Sequence, residues 1–431
     1  MNKRKLVEQC TTTLKQNDLG TWTRPAPGLY PNQWLWDSCF IAIGLRHIDA
    51  NRAKTELTSM LHGQWKNGMV PHVIISPDDY FGKKLWGKAS RRQTQNDIIT
   101  SAITQPPMLT EAFVRVGEKL KKTERQTWYK HHINQLIAYH EWLYRERDPQ
   151  STGLVALIHP WESGIDNSPS WMSTIYSHPL PVWINLLEQL QLDGVMQKLR
   201  RDTKLVPAGE RIATKDGLLL YHHIKDVIHS NGTLKHSTIA LQDVLFNSIL
   251  IRANQHLETI ANEIGITLPS WLITRMKKAT SALHTLWDET SQFYYDKNYS
   301  SGALTGQLSI GRYLPLYTGT ISNSQARKLA AQLQKELTEA PYAVASVPIS
   351  DPYFNGHRYW QGPAWVNTNW LIIDGLQRYG FFELAETIRA RTLELIERYG
   401  PHEYFSPIDG TPAGAHQFSW SAALAIDLAN Q

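Results

Sequence analysis

The chain has 431 residues, a net charge of +5, 42% hydrophobic residues and 19% charged residues, a balance that allows a large core and excludes global disorder. No Lys/Arg-rich run concentrates the small positive excess, so nothing in the charge calls for a nucleic-acid partner. Cys10 and Cys39 make neither a disulfide framework nor a CxxC metal site, and no stretch approaches the roughly 20 apolar residues of a membrane span.

Taken in chain order, the basic start "MNKRKLVEQCTTTLKQND" lacks the apolar stretch of a signal peptide, so the expected location is cytoplasmic. From there the periodicity is helical almost throughout. Residues 36–48 and 51–65 predict a helical hairpin, and 96–120 a helix interrupted at Pro106-Pro107. Further helices are predicted over 125–147, 237–265, 270–288 and 322–338. The pair 363–380 and 381–400 ends each time in Tyr-Gly, with Gly380 and Gly400 as left-handed caps. Residues 418–430 close the chain, and strand-like patches such as 68–76 are short. There is no fixed-period repeat and no dividing linker. The expectation is an all-α fold: one domain over 1–431, a toroid of helical hairpins with loop insertions around 66–95 and 200–236. Its long connections gather at one face, where a site would lie.

The aromatic content is the informative anomaly: 16 Trp and 18 Tyr stand against 10 Phe. Rings with a polar edge suit surfaces that are flat and wet, such as sugar-binding clefts. They concentrate in non-helical stretches: "LYPNQWLWDS" (29–38), "PDDYFGKKLWGKASRRQTQ" (77–95), "HPWESGIDNSPSW" (159–171), "YFNGHRYWQGPAW" (353–365) and "HEYFSPIDGTPAGAHQFSW" (402–420). Each sets rings beside amides or carboxylates, the mixture a sugar site needs. Aromatics that merely pin loops to the barrel explain any one stretch, but poorly explain all of them.

Two carboxylates stand apart. Asp166 is flanked by glycine and by Trp161 and Trp171, and desolvation by indoles favours a protonated acid. Glu403 lies just past a helix end. Glycoside hydrolysis needs one acid for the leaving oxygen and one carboxylate for water or sugar. Blander readings stay open: an Asx-turn for Asp166, a surface acid for Glu403 and an N-cap for Asp37. Glu162, four residues before Asp166, reads as a supporting or sugar-binding group. No GxGxxG, GxxxxGK[ST] or GxSxG motif is present. The 17 histidines include "KHHI" (130–133) and "YHHI" (221–224), which lack an acid at ligand spacing. No metal and no cofactor is called for.

"HPWESGIDNSP", "YWQGPAWVNTNWL" and "EYFSPIDGTPAG…FSWSAAL" resemble glycoside hydrolase family 63, and within it the small bacterial mannosylglycerate and glucosylglycerate hydrolases. The likeness runs from about residue 29 to 428. It implies an (α/α)6 barrel and an inverting α-glycosidase, with Asp166 the general acid and Glu403 the general base. It implies that Trp34, Trp36 and Asp37 grip the sugar in the −1 subsite. Tyr30, Gln105, Trp161, Glu162, Gly164, Tyr359, Trp360, Gly362, Trp365 and Gln417 fall at substrate-binding positions. "DYFGKKLWG" resembles a loop that closes over substrate, with Tyr80 its contact. Arg211 matches an arginine for a glycerate carboxylate. Two departures stand out: Trp171 is followed by Met172 where the family has Asp, and the expected tyrosine near Arg211 falls on Gly217, with Tyr221 further on.

The expected substrate is a small α-glucoside or α-mannoside, glucosylglycerate or mannosylglycerate first. Other small glycosides (glucosylglycerol, a trehalose-like or other disaccharide) remain open. So do a carbohydrate-binding protein without catalysis and a helical interaction scaffold. The partner is a small-molecule glycoside, with no membrane contact and with homo-oligomer formation left open.

Overall fold

Among the residues that the computed structural model describes, six inner helices close a ring. These residues are 2–91, 93–94, 98–190, 205–207, 209–229, 233–234, 237 and 239–431, so part of the expected insertion at 200–236 lies outside them. Leu35–Leu45 packs on Leu109–Gly117, which packs on Val244–Ile264. Pro315–Thr318, Val366–Arg378 and Ser419–Ala429 follow, and the last returns to Leu35–Leu45. Every residue of Leu35–Leu45 and of Ser419–Ala429 is buried, which is why both are apolar around most of their circumference, with Asp37 and Asp427 as buried exceptions. Outer helices such as Ala50–His62 and Phe382–Tyr399 bury one stripe and keep most of their charges outside, with Glu56 a buried exception that Arg52 pairs at 3.0 Å.

Gly380 and Gly400 both take positive φ, 79° and 86°, at the expected ends, but Gly400 has ψ 174° and so is in an extended glycine-only conformation rather than a left-handed cap. The helix expected over 96–120 is shorter. It begins at Leu109, and the preceding residues are extended, with Thr100 bridged to Ile74 and the Ser101 amide bonded to the Val73 carbonyl. The Pro106-Pro107 pair removes the amides a helix would need there. Helix 237–265 likewise starts only at Val244, after a short strand at Leu241–Gln242. A helix at Lys3–Asn17 was not expected. It packs on Ser419–Ala429 through Leu6, Cys10 and Leu14, spaced four apart in an otherwise polar segment. No helix among the described residues is long and apolar enough to cross a membrane.

The first turns of Leu35–Leu45 and Ser419–Ala429, and the segments leading into Leu109–Gly117 and Val366–Arg378, line one cavity on the loop-bearing face. Near the other end of the ring, Asp427 accepts hydrogen bonds from Arg46 Nη2 (2.8 Å) and Trp370 Nε1 (2.9 Å) and pairs with His47 Nε2 (2.8 Å). Burial alone would raise the Asp427 pKa, but the His47 hydrogen bond and the Arg46 charge outweigh it and hold the carboxyl at about 2. A folded-state pKa below the ordinary value stabilises the fold above pH 4 and is lost as pH falls towards 2. Asp427→Asn is expected to cost about 2 kcal/mol at pH 7 and almost nothing at pH 2, read by urea denaturation at the two pH values. An equal cost at both would contradict the assignment.

Candidate active site

The loops enclose a cavity of about 330 Å³ on the loop-bearing face. Trp36, Trp360 and Trp420 give it aromatic walls, with Trp36 edge-on to Trp420 at 5.4 Å and tilted against Trp360 at 6.2 Å. Trp36 and Asp37 lie in the first turn of Leu35–Leu45. The short strand Gln33–Trp34 holds that turn in place by pairing with Val73–Ile74. The Trp36 amide, one of the helix's free N–H groups, is satisfied by Gln105 Oε1 at 3.3 Å. Gln105 therefore bridges the extended 98–108 segment to the site.

Glu403 sits in a hairpin, His402–Phe405 against Pro412–His416, whose register shifts between His402 and Tyr404. Such bulges re-aim a side chain. Here Gly414 takes φ +72°, and a Cβ there would stand 2.6 Å from Glu403 Oε2. The glycine lets the carboxylate lie flat against its own hairpin. Four donor contacts then fix Glu403: Tyr30 Oη to Oε1 (2.6 Å), Arg211 Nη1 to both oxygens (2.8 Å each) and the Ala415 amide to Oε2 (2.8 Å). Arg211 lies over the rings of Tyr359 (4.4 Å) and Tyr30 (5.5 Å). Its segment is tied to the same hairpin, because the Gly414 amide donates to Glu210 Oε2 and the Tyr404 hydroxyl to the Glu210 carbonyl.

Asp166 enters from the loop between Pro160–Ser163 and Pro169–Tyr176. Gly164 takes φ +75°, and a Cβ there would meet the Trp36 ring at 2.6 Å, so this loop rests directly on the aromatic wall. The next residue but two, Asn167, fastens it on the other side. Its Oδ1 accepts from the Trp360 amide (2.9 Å) and its carbonyl from Gln361 Nε2 (3.0 Å). The Asp166 carboxyl faces the cavity, and desolvation pushes its pKa up to about 7. Arg211 opposes that shift and the Glu403 charge reinforces it. Asp37 is raised well above the carboxylate range, first by burial and then by Glu403 and Asp166. Asp37 and Asp166 thus both have their neutral forms favoured in a cavity they share with the Glu403 carboxylate and one guanidinium. Among the described residues no cluster of ligating side chains suits a metal ion.

The cavity brings together Asp166, Glu403, Tyr30, Trp34, Trp36, Asp37, Gln105, Trp161, Gly164, Arg211, Tyr359 and Trp360. Five expected contacts lie elsewhere. Tyr80 is 78% exposed, and its neighbour Phe81 lines the cavity instead. Trp365 stacks behind Trp360 at 3.8 Å, one layer out. Gly362 is used by the backbone, its amide donating to Ser346 Oγ. Gln417 is exposed and bonds Gln16, at 2.9 Å. Glu162 is fully buried and faces Arg147 (2.7 Å) and the Ile158 amide (2.8 Å) rather than the cavity. Sequence reasoning missed His72, stacked on Trp161, and the pair Asn32–Asp79, bonded at 2.7 Å. Asp79 had a readable signal: it is a side-chain N-cap for Tyr80–Ser90.

The profile of the family described as mannosylglycerate hydrolase MGH1-like glycoside hydrolase domain matches residues 30–421. The chain belongs to this family. It is 37% identical to the mannosylglycerate hydrolase of Thermus thermophilus over 96% of its own length and 98% of that protein's. It is 28% identical to the glucosylglycerate hydrolase of Mycolicibacterium hassiacum, over 98% and 97% of the two chains. The crystal structure of a Thermus thermophilus family 63 mannosylglycerate hydrolase with Tris and D-glycerate superposes with a TM-score of 0.86 at 35% identity, covering 98% of this chain and 99% of that one. The fold is the family's (α/α)6 barrel, and the chain is a glycoside hydrolase.

Proposed function

We propose that the chain, acting as one catalytic domain in the cytoplasm, hydrolyses glucosylglycerate or mannosylglycerate with inversion. The observation that carries this reading is an aromatic cavity holding a carboxyl with a pKa of about 7, a second carboxylate fixed by four donor contacts, and one arginine. Asp166 donates its proton to the glycosidic oxygen as that bond breaks. Glu403 takes a proton from the attacking water on the opposite face of the sugar, so the released sugar is the β-anomer. Tyr30 and the Ala415 amide hold the base's oxygens in place. Trp36, Trp360 and Trp161 stack on the sugar, while Asp37 and Gln105 take its hydroxyls. Arg211 binds the carboxylate of the aglycone. Its guanidinium already engages one carboxylate, and its charge suits an anionic leaving group.

A second reading has its own support. The cavity wall at Gly217 carries no side chain, which leaves room for an aglycone larger than glycerate. A hydrolysis panel separates the two. With glucosylglycerate, mannosylglycerate, glucosylglycerol, trehalose, sucrose and kojibiose compared, the glycosides of glycerate are expected to give the highest kcat/KM. Arg211→Ala should lower that value for every substrate, because it also releases Glu403, and at least 10-fold further for the glycerate substrates than for neutral ones. A neutral disaccharide as best substrate would favour the second reading.

A further inference from the structure

Two buried carboxylates outside the cavity remain without a role in this chemistry. Leu241–Gln242 pairs antiparallel with Lys297–Asn298, with Gln242 opposite Lys297. Continued one step, that register sets Asp243 opposite Asp296. Both lie at the start of helix Val244–Ile264. Asp243 Oδ1 accepts from the Phe246 amide (2.8 Å) and Asp296 Oδ1 from the Val244 amide (2.7 Å). The other oxygen of each, Oδ2, is buried without a well-formed hydrogen bond, the Trp171 indole approaching Asp243 and the Ser170 hydroxyl approaching Asp296. Asp243 is fully buried and Asp296 nearly so. Like charges directly opposite across a ladder repel, and two ionised carboxylates in such a site would do so without screening.

Among the described residues, no basic side chain acts on either carboxyl. Asp296 feels burial, the Val244 amide and the Ser170 hydroxyl, and no basic side chain. Asp243 feels burial, Asp296, backbone amides and the Trp171 indole. Both carboxyls are raised above their ordinary range, burial being the first cause for each. Ser170 and Trp171 do not titrate, so the two aspartates are the titrating groups at this junction. One proton held between the two Oδ2 atoms would satisfy both orphaned oxygens, as donor on one and acceptor on the other.

The position gives the pair its consequence. Ser170 and Trp171 begin the helix that follows the Asp166 loop, and Trp171 is fully buried. On the loop's upstream side Leu157 is bridged to Leu241, two residues before Asp243. The strand and helix start that carry Asp243 thus support both flanks of the loop. We propose that Asp243 and Asp296 share one proton and act together as positioning residues for the loop that bears Asp166. The positioning half rests on the reading of Asp166 as the proton donor; the shared proton does not.

Asp296→Asn tests both halves, because its amide N–H replaces the shared proton and keeps the contact. At a pH above the ordinary carboxylate range, the infrared spectrum of the wild-type protein should show a protonated-carboxyl band that Asp296→Asn lacks. An unchanged band in the variant overturns the shared proton. The pH profile of kcat/KM is the second arm. Above the first ionisation, the wild-type slope should steepen from about −1 to about −2 as the pair loses its proton and the loop its support, whereas Asp296→Asn stays near −1. Identical slopes overturn the positioning role. The double variant Asp243→Asn with Asp296→Asn sets two amides against each other and should lose kcat at least 10-fold with little change in KM, while each single variant keeps it. A double variant as active as the singles would also count against the proposal. Full activity in Asp166→Asn would remove the donor reading and leave the infrared result standing.

Discussion

Asp166→Asn is expected to lower kcat by about a thousandfold with the fold intact, in the range that general acid catalysis contributes. The substitution is close to isosteric, and the loop that carries it is held by its neighbours Gly164 and Asn167. The loss should depend on the leaving group. An aryl glycoside with an acidic phenol needs little protonation and should recover much of the rate, whereas a sugar or glycerate aglycone should not. The wild-type pH profile supplies a second check. Burial, aided by the Glu403 charge and opposed by Arg211, sets the Asp166 carboxyl at about 7. The proton is present below that value and lost above it, so kcat/KM should fall as pH rises through about 7. Activity that is flat to pH 9, or an Asp166→Asn protein that retains full rate on natural substrates, would exclude Asp166 as the donor.

Glu162→Ala should destabilise the protein by about 3–5 kcal/mol, because it leaves a buried arginine without its counter-charge. Arg147 Nη2 lies 2.7 Å from Glu162 Oε1, and both side chains are essentially inaccessible to solvent. Glu162 also accepts from the Ile158 and Thr104 amides, so one side chain fixes both the entrance to the Asp166 loop and the segment that carries Gln105. Burial raises its pKa, with Arg147 acting against that shift. Chemical denaturation measures the cost. The milder Glu162→Gln separates scaffold from substrate contact: a scaffold role lowers stability and leaves KM nearly unchanged, while a raised KM at unchanged stability would return Glu162 to the list of sugar-binding groups.

Glu162 also shows where sequence reading stops. Its spacing from Asp166 was legible, but its partner Arg147 lies at the end of a separate helix, and the depth of burial that pairs them is a property of the packed ring. The helical hairpins were legible because apolar periodicity is local, and the two helix-ending glycines, Gly380 and Gly400, were fixed by short-range backbone geometry. The loops bearing Asp166 and Glu403 were legible from composition, since rings and carboxylates together are unusual in a connection. Trp365 and Trp360 look equivalent in sequence, yet stacking puts one behind the other. Tyr80 and Phe81 are adjacent, and only the turn of helix Tyr80–Ser90 decides which faces the cavity. The extended path of 98–108 is signalled by Pro106-Pro107, but prolines alone do not distinguish a break within a helix from its absence, which the pairing of Thr100 with Ile74 decides. The carboxylate pair Asp243–Asp296 left no local trace, because its two members meet only through strand register.

The claim that Asp166 and Glu403 act from opposite faces of the sugar is tested most directly by proton NMR of the hydrolysis of glucosylglycerate and mannosylglycerate, recorded before mutarotation. The β-anomer should be the first sugar signal to rise, with the α-anomer following only as the free sugar equilibrates. An α-anomer that appears first would contradict the account.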